Sequence, residues 1–177
     1  MTAVYDRSGI QFMYPENWKI IEDDMENLPR TVSIESPTGA LWSVDIHLFS
    51  VDMQTLLDQT LQAFQQEYYE VESGPAEEVW LGETVIGYDL DFVCLDFVVI
   101  CQLRALRHGH ATYLITFQAE DREFQKMQQV FRAIAQSMLS ENNIRVAEKG
   151  QIQSGQIQSG QIQSGQIQSG QIQSGPI

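Results

Sequence analysis

The sequence predicts an α+β domain in which an antiparallel sheet of about six strands carries two main helices packed on its apolar face. Three observations support this class. Apolar and polar residues alternate with a period of two in several segments, as they do in half-buried strands. Two longer segments carry apolar residues three and four positions apart, as amphipathic helices do. The order is strands, helix, strands, helix, and such segregation is typical of α+β folds.

The first half of the chain is predicted to form short strands, a hairpin and a helix. Strands over residues 9–14 and 18–22 flank a turn at Pro15, because proline presets its φ angle. Strands over 30–36 and 41–49 follow, joined by a Pro-Thr-Gly turn. A helix is predicted over 52–69, with Ser50 or Asp52 able to cap its first turn. Its apolar stripe consists of Met53, Leu56, Leu57, Leu61, Phe64 and Tyr68.

The second half is predicted to contain three strands and a closing helix. Ser73, Gly74 and Pro75 indicate a loop. Strands are expected near 83–95, 100–107 and 111–118, with a His-Gly-His turn between the last two, and a helix over 121–139. The stripe of that helix is Phe124, Met127, Phe131, Ile134 and Met138.

The cysteines Cys94 and Cys101 lie in neighbouring strands of one predicted hairpin. A loop of about four residues, 96–99, would place them opposite each other. We expect free, buried thiols that act as small apolar residues. A reversible disulfide is the alternative.

The chain divides into a domain over residues 1–147 and a tail over 148–177 that repeats the pentapeptide QIQSG. One isoleucine per five residues cannot form a helical stripe, and glycine with serine keeps a chain loose. The tail is therefore predicted to be a disordered tether. Self-association of its Gln-Ile-Gln triplets is an open alternative.

The charge of the chain bears on its partners. The formal net charge is −14, and because residues 151–177 carry no charged side chain, all of it lies within residues 1–150. Phosphate backbones and anionic lipid surfaces are repelled by such a charge, so we expect no nucleic-acid and no membrane partner. The N-terminus shows no basic segment followed by an apolar run, and a cytoplasmic location is expected. A protein partner is the remaining prediction.

The alternation sorts the strand residues into an apolar set and a polar set. If the apolar set lies beneath both helices, the polar set forms the opposite face of the sheet. We predict this polar face to be a docking platform for a protein. An inert solvated face, or a face covered by another element or by a second copy in a homodimer, are alternatives. The candidate residues are Ser43, Asp45, His47, Asp89, Asp91, Gln102, Arg104, Thr112 and Thr116.

Catalytic and metal chemistry find little support in the sequence. Ser43, Asp45 and His47 are the residue types of a hydrolytic triad, but positions two apart on a strand are separated by about 6.6 Å, whereas a nucleophile and its base need contact at about 3 Å. His108 and His110 would supply two ligands where zinc needs three or four. We expect a non-catalytic adaptor or chaperone-like domain without metal or cofactor. The alternative is a small-ligand-binding protein or enzyme with a site around Asp89, Asp91 and His47.

Two segments carry a resemblance to a known superfamily. GIQFMYPENWKI, residues 9–20, and ATYLITFQAEDREFQKMQQVFRAIAQS, residues 111–137, resemble the opening and the ending of PsbP-like proteins. The likeness spans roughly residues 4–140 and implies that superfamily's fold, often with helices on both sides of the sheet. Its members include a photosystem II subunit, a Ran-binding import factor and bacterial effector chaperones, so mainly binding roles are implied. The matching residues, expected to be structural, are Tyr14, Pro15, Trp18, Phe117, Phe131, Ile134 and Ser137.

Overall fold

The computed structural model describes residues 1–7, 9–23 and 26–140, and within these ranges the chain forms nine strands and two helices. The predicted domain end at 147 and the predicted tail over 148–177 lie outside the described residues. In chain order the elements are β1 (Thr2–Arg7), β2 (Ile10–Pro15), β3 (Lys19–Asp23), β4 (Arg30–Glu35), β5 (Leu41–Leu48), α1 (Met53–Glu67), β6 (Glu72–Trp80), β7 (Glu83–Cys94), β8 (Phe97–His108), β9 (Ala111–Glu120) and α2 (Asp121–Leu139).

The strands of the described chain form a large sheet of seven and a separate hairpin of two. The large sheet has the order β3-β4-β5-β9-β8-β7-β6, and every neighbouring pair is antiparallel. The hairpin consists of β1 and β2. The α+β class with an antiparallel sheet and two helices is thereby confirmed.

Two strands were not predicted, β1 and β6. The segment Ser73–Pro75 was predicted to be a loop, yet it lies inside β6. Among the strands that the structure describes, β6 pairs only with β7 and is therefore an edge strand. Proline is tolerated there because no second neighbour needs its missing N–H.

The two helices pack on opposite sides of the large sheet, so the prediction that both cover one apolar face is wrong. Adjacent residues of β9 show the division. Ile115 belongs to the apolar cluster that contains Phe131 of α2, whereas Leu114 belongs to the cluster that contains Leu57 of α1. Neighbouring side chains of a strand point to opposite faces. We call these faces the α2 side and the α1 side.

The register of β8 on β9 explains the division. Cys101, in the apolar set of β8, lies opposite Gln118, in the polar set of β9. Residues directly paired across strands point to the same face, so the apolar set changes sides between these strands. Each half of the sheet therefore requires its own helix, on its own side.

The β1–β2 hairpin completes the cover of the α2 side. Phe12 is fully buried, with ring centroids 4.9 Å from both Tyr5 and Trp42. The amide of Met13 donates to Ser137 Oγ of α2 at 2.9 Å. Trp18 packs edge-on against Phe131 at 6.0 Å. Trp18, Phe131 and Ser137 thus have structural roles, as the resemblance implied.

The cysteines do not face each other, because the β7–β8 turn has two residues rather than about four. Leu95 and Asp96 form this turn with φ angles of 49° and 67°. Cys94 lies opposite Phe97, and Cys101 lies opposite Leu90. Both thiols are free.

Candidate functional site

The nine predicted docking residues lie on both sides of the large sheet and not on one face. Cross-strand pairs place them: Ser43 lies opposite Thr116 and His47 opposite Thr112 on the α1 side. Asp89 lies opposite Gln102 on the α2 side. The α1-side set is Ser43, Asp45, His47, Thr112 and Thr116, and the α2-side set is Asp89, Asp91, Gln102 and Arg104.

The alternative site around Asp89, Asp91 and His47 cannot form as one constellation. His47 belongs to the α1 side of β5, whereas both aspartates belong to the α2 side of β7. The sheet itself separates them. Because the polar set changes sides between β8 and β9, these three residues cannot form a single site.

The α1-side residues of β3, β4 and β5, together with Thr116, form a polar surface that we call the open half-face. The helix α1 packs against β7, β8 and β9 and thus lies beside this surface. Ser33, Ser43 and Thr116 form one cross-strand row of half-buried hydroxyl groups, continued by the exposed Ile21 of β3. The open half-face is a hydrogen-bonding floor with α1 as its wall.

Asp45 and His47 are the titratable groups in the middle of β5 on this floor. Thr31 Oγ1 donates to Asp45 Oδ1 at 2.7 Å. Burial raises the pKa of Asp45, although this hydrogen bond and the nearby His47 act in the opposite direction. Burial lowers the pKa of His47, partly offset by the Asp45 charge. Each group therefore favours its neutral form more than it would in water.

Thr112 does not belong to an accessible surface. It is fully buried, and its hydroxyl lies 3.3 Å from the carbonyl oxygens of Phe49 and Val51, to which it donates. Arg107 donates to the same Val51 carbonyl and lies over the Phe49 ring at 5.4 Å. These contacts hold the loop from β5 to α1 against the sheet. Thr112 therefore positions α1 and is unavailable for docking.

Arg104 is also structural and not a surface counter-charge. Its side chain is 2% exposed and donates to Glu78 Oε1 at 2.8 Å and to Asp89 Oδ1 at 2.7 Å. Glu78 also accepts a hydrogen bond from Trp80 Nε1 at 2.9 Å and forms an ion pair with Arg132 Nη2 of α2 at 3.1 Å. This network joins the edge strand β6 to β7, β8 and α2.

The network also sets the protonation of Glu78. Burial acts to raise the pKa of Glu78, but the hydrogen bonds from Trp80 and Arg104 and the charges of Arg104 and Arg132 outweigh it, so the pKa is lowered. Glu78 is therefore held as a carboxylate. Of the α2-side candidates, Asp89 and Asp91 are exposed to solvent, while Gln102 and Arg104 are buried.

Sequence reasoning missed a set of exposed apolar residues at the β7–β8 turn, which we call the apolar arm, residues 93–98. Val93 is 53%, Leu95 87%, Phe97 61% and Val98 51% exposed. A signal was present in the sequence: from Val93 to Val99 apolar residues occupy both alternating positions, interrupted only by Asp96. A half-buried strand needs one polar alternate set, so this pattern already indicated a two-sided apolar segment.

Neither metal binding nor membrane spanning gains support from the described residues. Across 1–7, 9–23 and 26–140, no group of three or more His, Cys, Asp or Glu side chains is arranged to hold a metal ion. His108, one member of the His-Gly-His turn, instead contacts Glu83 Oε1 through Nδ1 at 2.8 Å. Within the same ranges, neither α1 nor α2 combines the length and apolar character that crossing a bilayer takes.

Comparison with known proteins identifies the fold. No family model and no curated protein matches the chain. Cyanobacterial PsbP (CyanoP) from Synechocystis sp. PCC 6803 is similar in structure, with a TM-score of 0.58 and 12% identity over 77% of this chain and 90% of that one. The chain therefore has a PsbP-like fold, as the two terminal segments predicted. At this identity the likeness concerns the fold alone.

Two further solved structures show weaker likeness. PA94, a protein of unknown function from Pseudomonas aeruginosa, gives a TM-score of 0.49 and 10% identity over 79% of this chain and 97% of that one. LpqN of Mycobacterium tuberculosis, which is involved in cell envelope biogenesis, gives a TM-score of 0.41 and 10% identity over 76% of this chain and 80% of that one.

Proposed function

We propose that this chain is a non-catalytic protein-binding domain, of adaptor or chaperone-like type, and that the open half-face contacts the partner. One observation carries the proposal: α2 and the β1–β2 hairpin cover the α2 side, and α1 packs on β7, β8 and β9, while neither helix of the described residues packs on the α1 side of β3, β4 and β5. A broad polar floor beside a helical wall suits a macromolecular surface, since its hydroxyl groups can pair with a partner's polar groups as water leaves.

The net charge of the chain indicates which kind of surface the partner presents. A domain that carries the whole net charge of −14 attracts basic surfaces at long range and repels acidic ones. Asp45 lies near the middle of the open half-face and becomes more ionised as the pH rises. The partner surface is accordingly expected to carry lysine or arginine. The cytoplasmic location and the exclusion of nucleic acid and membranes stay predictions from the sequence.

Site-specific photo-crosslinking in cells tests the proposal. Benzoylphenylalanine is placed at Ser43 or Thr116 on the open half-face and, as controls, at Gln62 or Gln65, which are exposed on α1. We expect a discrete adduct with another protein from the half-face positions and none from the helix positions. The substitution Ser43→Arg should remove the adduct formed from Thr116, whereas Gln62→Arg should leave it unchanged.

The competing outcomes are distinct. Adducts of twice the chain mass would show a homodimer through this face in place of a separate partner. Equal adduct yields from all four positions would show an unspecific surface and would contradict the proposal.

A further inference from the structure

The apolar arm extends past both strands that flank its hairpin. The last pair between β6 and β7 is Glu72 with Asp91, and the last pair between β8 and β9 is Val99 with Glu120. Residues 93–98 therefore pair only with one another, Val93 with Val98 and Cys94 with Phe97. Both edges of this ribbon lack a neighbouring strand within the described residues. The arm projects from the end of the large sheet, and of its residues Cys94 is half-buried against the α1-side cluster.

The arm is apolar on both of its faces. Val93 and Val98 form a pair on the α2 side, while Phe97 points to the α1 side and Leu95 occupies the turn. All four side chains are more than half exposed. Single exposed apolar residues are ordinary on protein surfaces, but a contiguous group indicates an interaction site.

The base of the arm is anchored. Phe92, the residue before it, is 2% exposed and stacks on Tyr68 at the end of α1 with ring centroids 4.3 Å apart. Phe64 of α1 completes this aromatic contact at 5.7 Å from Phe92. A projection with a fixed base loses little conformational freedom on binding.

The turn of the arm places leucine where its backbone is disfavoured. Leu95 has a φ angle of 49°, in the left-handed region that suits Asn or Gly. Backbone strain of this kind is commonly retained at binding sites, where the side chain is needed in that place. Leu81, in the β6–β7 turn, has a nearly identical φ of 50°. It supplies a matched position at which the same substitution changes the backbone preference in the same way.

Acidic residues surround the base of the arm and indicate the occupant. Glu72 and Asp91 lie opposite each other just below it, Glu120 lies opposite Val99, and Asp96 is in the turn. A second copy of this acidic chain would bring like charges together, and an anionic bilayer would be repelled in the same way. A partner with basic residues would be attracted. Because the arm is apolar on both faces, its occupant must enclose it, as a groove does and a flat surface does not.

We propose that the apolar arm is a second docking element, which inserts into an apolar groove of a protein partner whose rim carries lysine and arginine. The arm lies beyond the β7–β8 end of the sheet, whereas the open half-face lies on β3, β4 and β5. This inference therefore stands independently of the proposed role of the half-face. Insertion removes Leu95 and Phe97 from water and pairs Asp91 and Glu72 with the basic rim.

Photo-crosslinking from Phe97 in the full-length chain tests the inference. We expect an adduct with a different protein, located at a segment in which apolar residues are flanked by lysine or arginine. Leu95→Asn should lower the adduct yield about tenfold, since a large apolar side chain leaves the groove, while Leu81→Asn should change it less than about twofold. Both variants should keep or raise the thermal midpoint because asparagine tolerates a positive φ angle. Asp91→Lys should lower the yield and weaken its dependence on salt concentration.

Other occupants give different results, each of which would overturn the inference. An adduct between two copies would identify a dimer, and an adduct to residues 141–177 of the same chain would identify that segment as the occupant. Sedimentation with phosphatidylcholine vesicles that Leu95→Asn abolishes would identify a lipid surface. An unchanged yield with Leu95→Asn, an equal loss with Leu81→Asn, or no adduct from Phe97 at all would show that the arm does not dock.

Discussion

Leu103 of β8 lies directly opposite Thr116 of β9, and both side chains point to the α1 side of the large sheet. This pair marks the boundary at which the apolar set of the strands changes sides. On the β7–β8 part, Leu103 is covered by α1. On the β9–β5 part, Thr116 and Ser43 are only half-buried and belong to the open half-face. One register relationship therefore decides which surfaces are core and which are free.

Replacement of Arg104 should show that its role is structural. Arg104→Met keeps much of the side-chain volume but leaves Glu78 and Asp89 without their buried cation. We expect a loss of about 3 kcal/mol in the free energy of unfolding, near the low end for a broken buried ion pair because both carboxylates keep some exposure. Urea unfolding measures this, with Arg122→Ala, exposed on α2, expected to lie within about 0.5 kcal/mol of wild type. Equal stabilities would assign Arg104 to a surface role.

Gly87 is predicted to tolerate no side chain, in contrast to Gly74. A Cβ at Gly87 would collide with the Leu103 carbonyl oxygen and lie 3.0 Å from Arg104 Cδ, whereas a Cβ at Gly74 meets nothing within 4 Å. Gly87→Ala should cost about 3 kcal/mol through overpacking. Gly74→Ala should change stability by less than about 0.5 kcal/mol. Thermal or urea unfolding of both variants checks the contrast, and comparable stabilities would refute the close approach of β7 to β8.

The protonation of Asp45 should make stability depend on pH. Because burial raises its pKa above 3.8 in the folded state, the folded chain holds this proton more tightly than the unfolded chain does. The resulting stabilisation of the folded chain is complete below pH 3.8 and is lost as the pH rises through the folded-state pKa of Asp45. Asp45→Asn lacks this titration and keeps an Oδ1 that can accept from Thr31. Its stability relative to wild type should therefore increase with pH.

Urea unfolding across a pH series measures this difference, and Asp6→Asn on the exposed part of β1 provides the control for removal of one charge. An NMR titration of His47 adds a second readout. The Asp45 charge raises the pKa of His47 against the effect of burial, so that pKa should fall further in Asp45→Asn. A relative stability that declines with rising pH, or a His47 pKa that rises, would contradict the assignment.

The thiols should differ sharply in reactivity. Cys101 is fully buried, and burial raises the pKa of its thiol to about 12, so little reactive thiolate is present at neutral pH. Cys94 is only half-buried. We expect iodoacetamide to modify Cys94 in the native chain and Cys101 only after denaturation, as read by peptide mass spectrometry. Cys94→Ser should abolish native labelling. A Cys94–Cys101 disulfide under mild oxidation would contradict the register that places Phe97 and Leu90 opposite them.

Several elements follow from local sequence pattern alone. The stripe from Met53 to Tyr68 predicted α1, and Asp52 caps it by accepting from the Thr55 amide at 2.9 Å. The stripe from Phe124 to Met138 likewise predicted α2. The residues shared with PsbP-like proteins at both ends of the domain predicted its fold. These signals are local, since helical periodicity and capping depend on residues a few positions apart.

Other features could not be obtained from local pattern. β6 contains Ser73, Gly74 and Pro75, which normally indicate a loop, and it forms a strand because β7 offers a free edge. Arg104 alternates with apolar residues as a surface residue would, yet Glu78 and Asp89 make its burial possible. Thr112 has the same alternation but is covered by the loop before α1. In each case a contact distant in sequence outweighed the local preference.

The sequence by itself determined the helices, most strands, the apolar and polar sets within each strand and the kind of fold. Only the tertiary structure decided which sets share a face, because alternation fixes the two sides of a strand but not how neighbouring strands are aligned in register. A shift of one residue in register moves every side chain to the other side of the sheet. For that reason the residues of the predicted polar face lie on two sides of the sheet. The open half-face and the apolar arm follow from the pairing of β8 with β9 and β7, which only the tertiary structure shows.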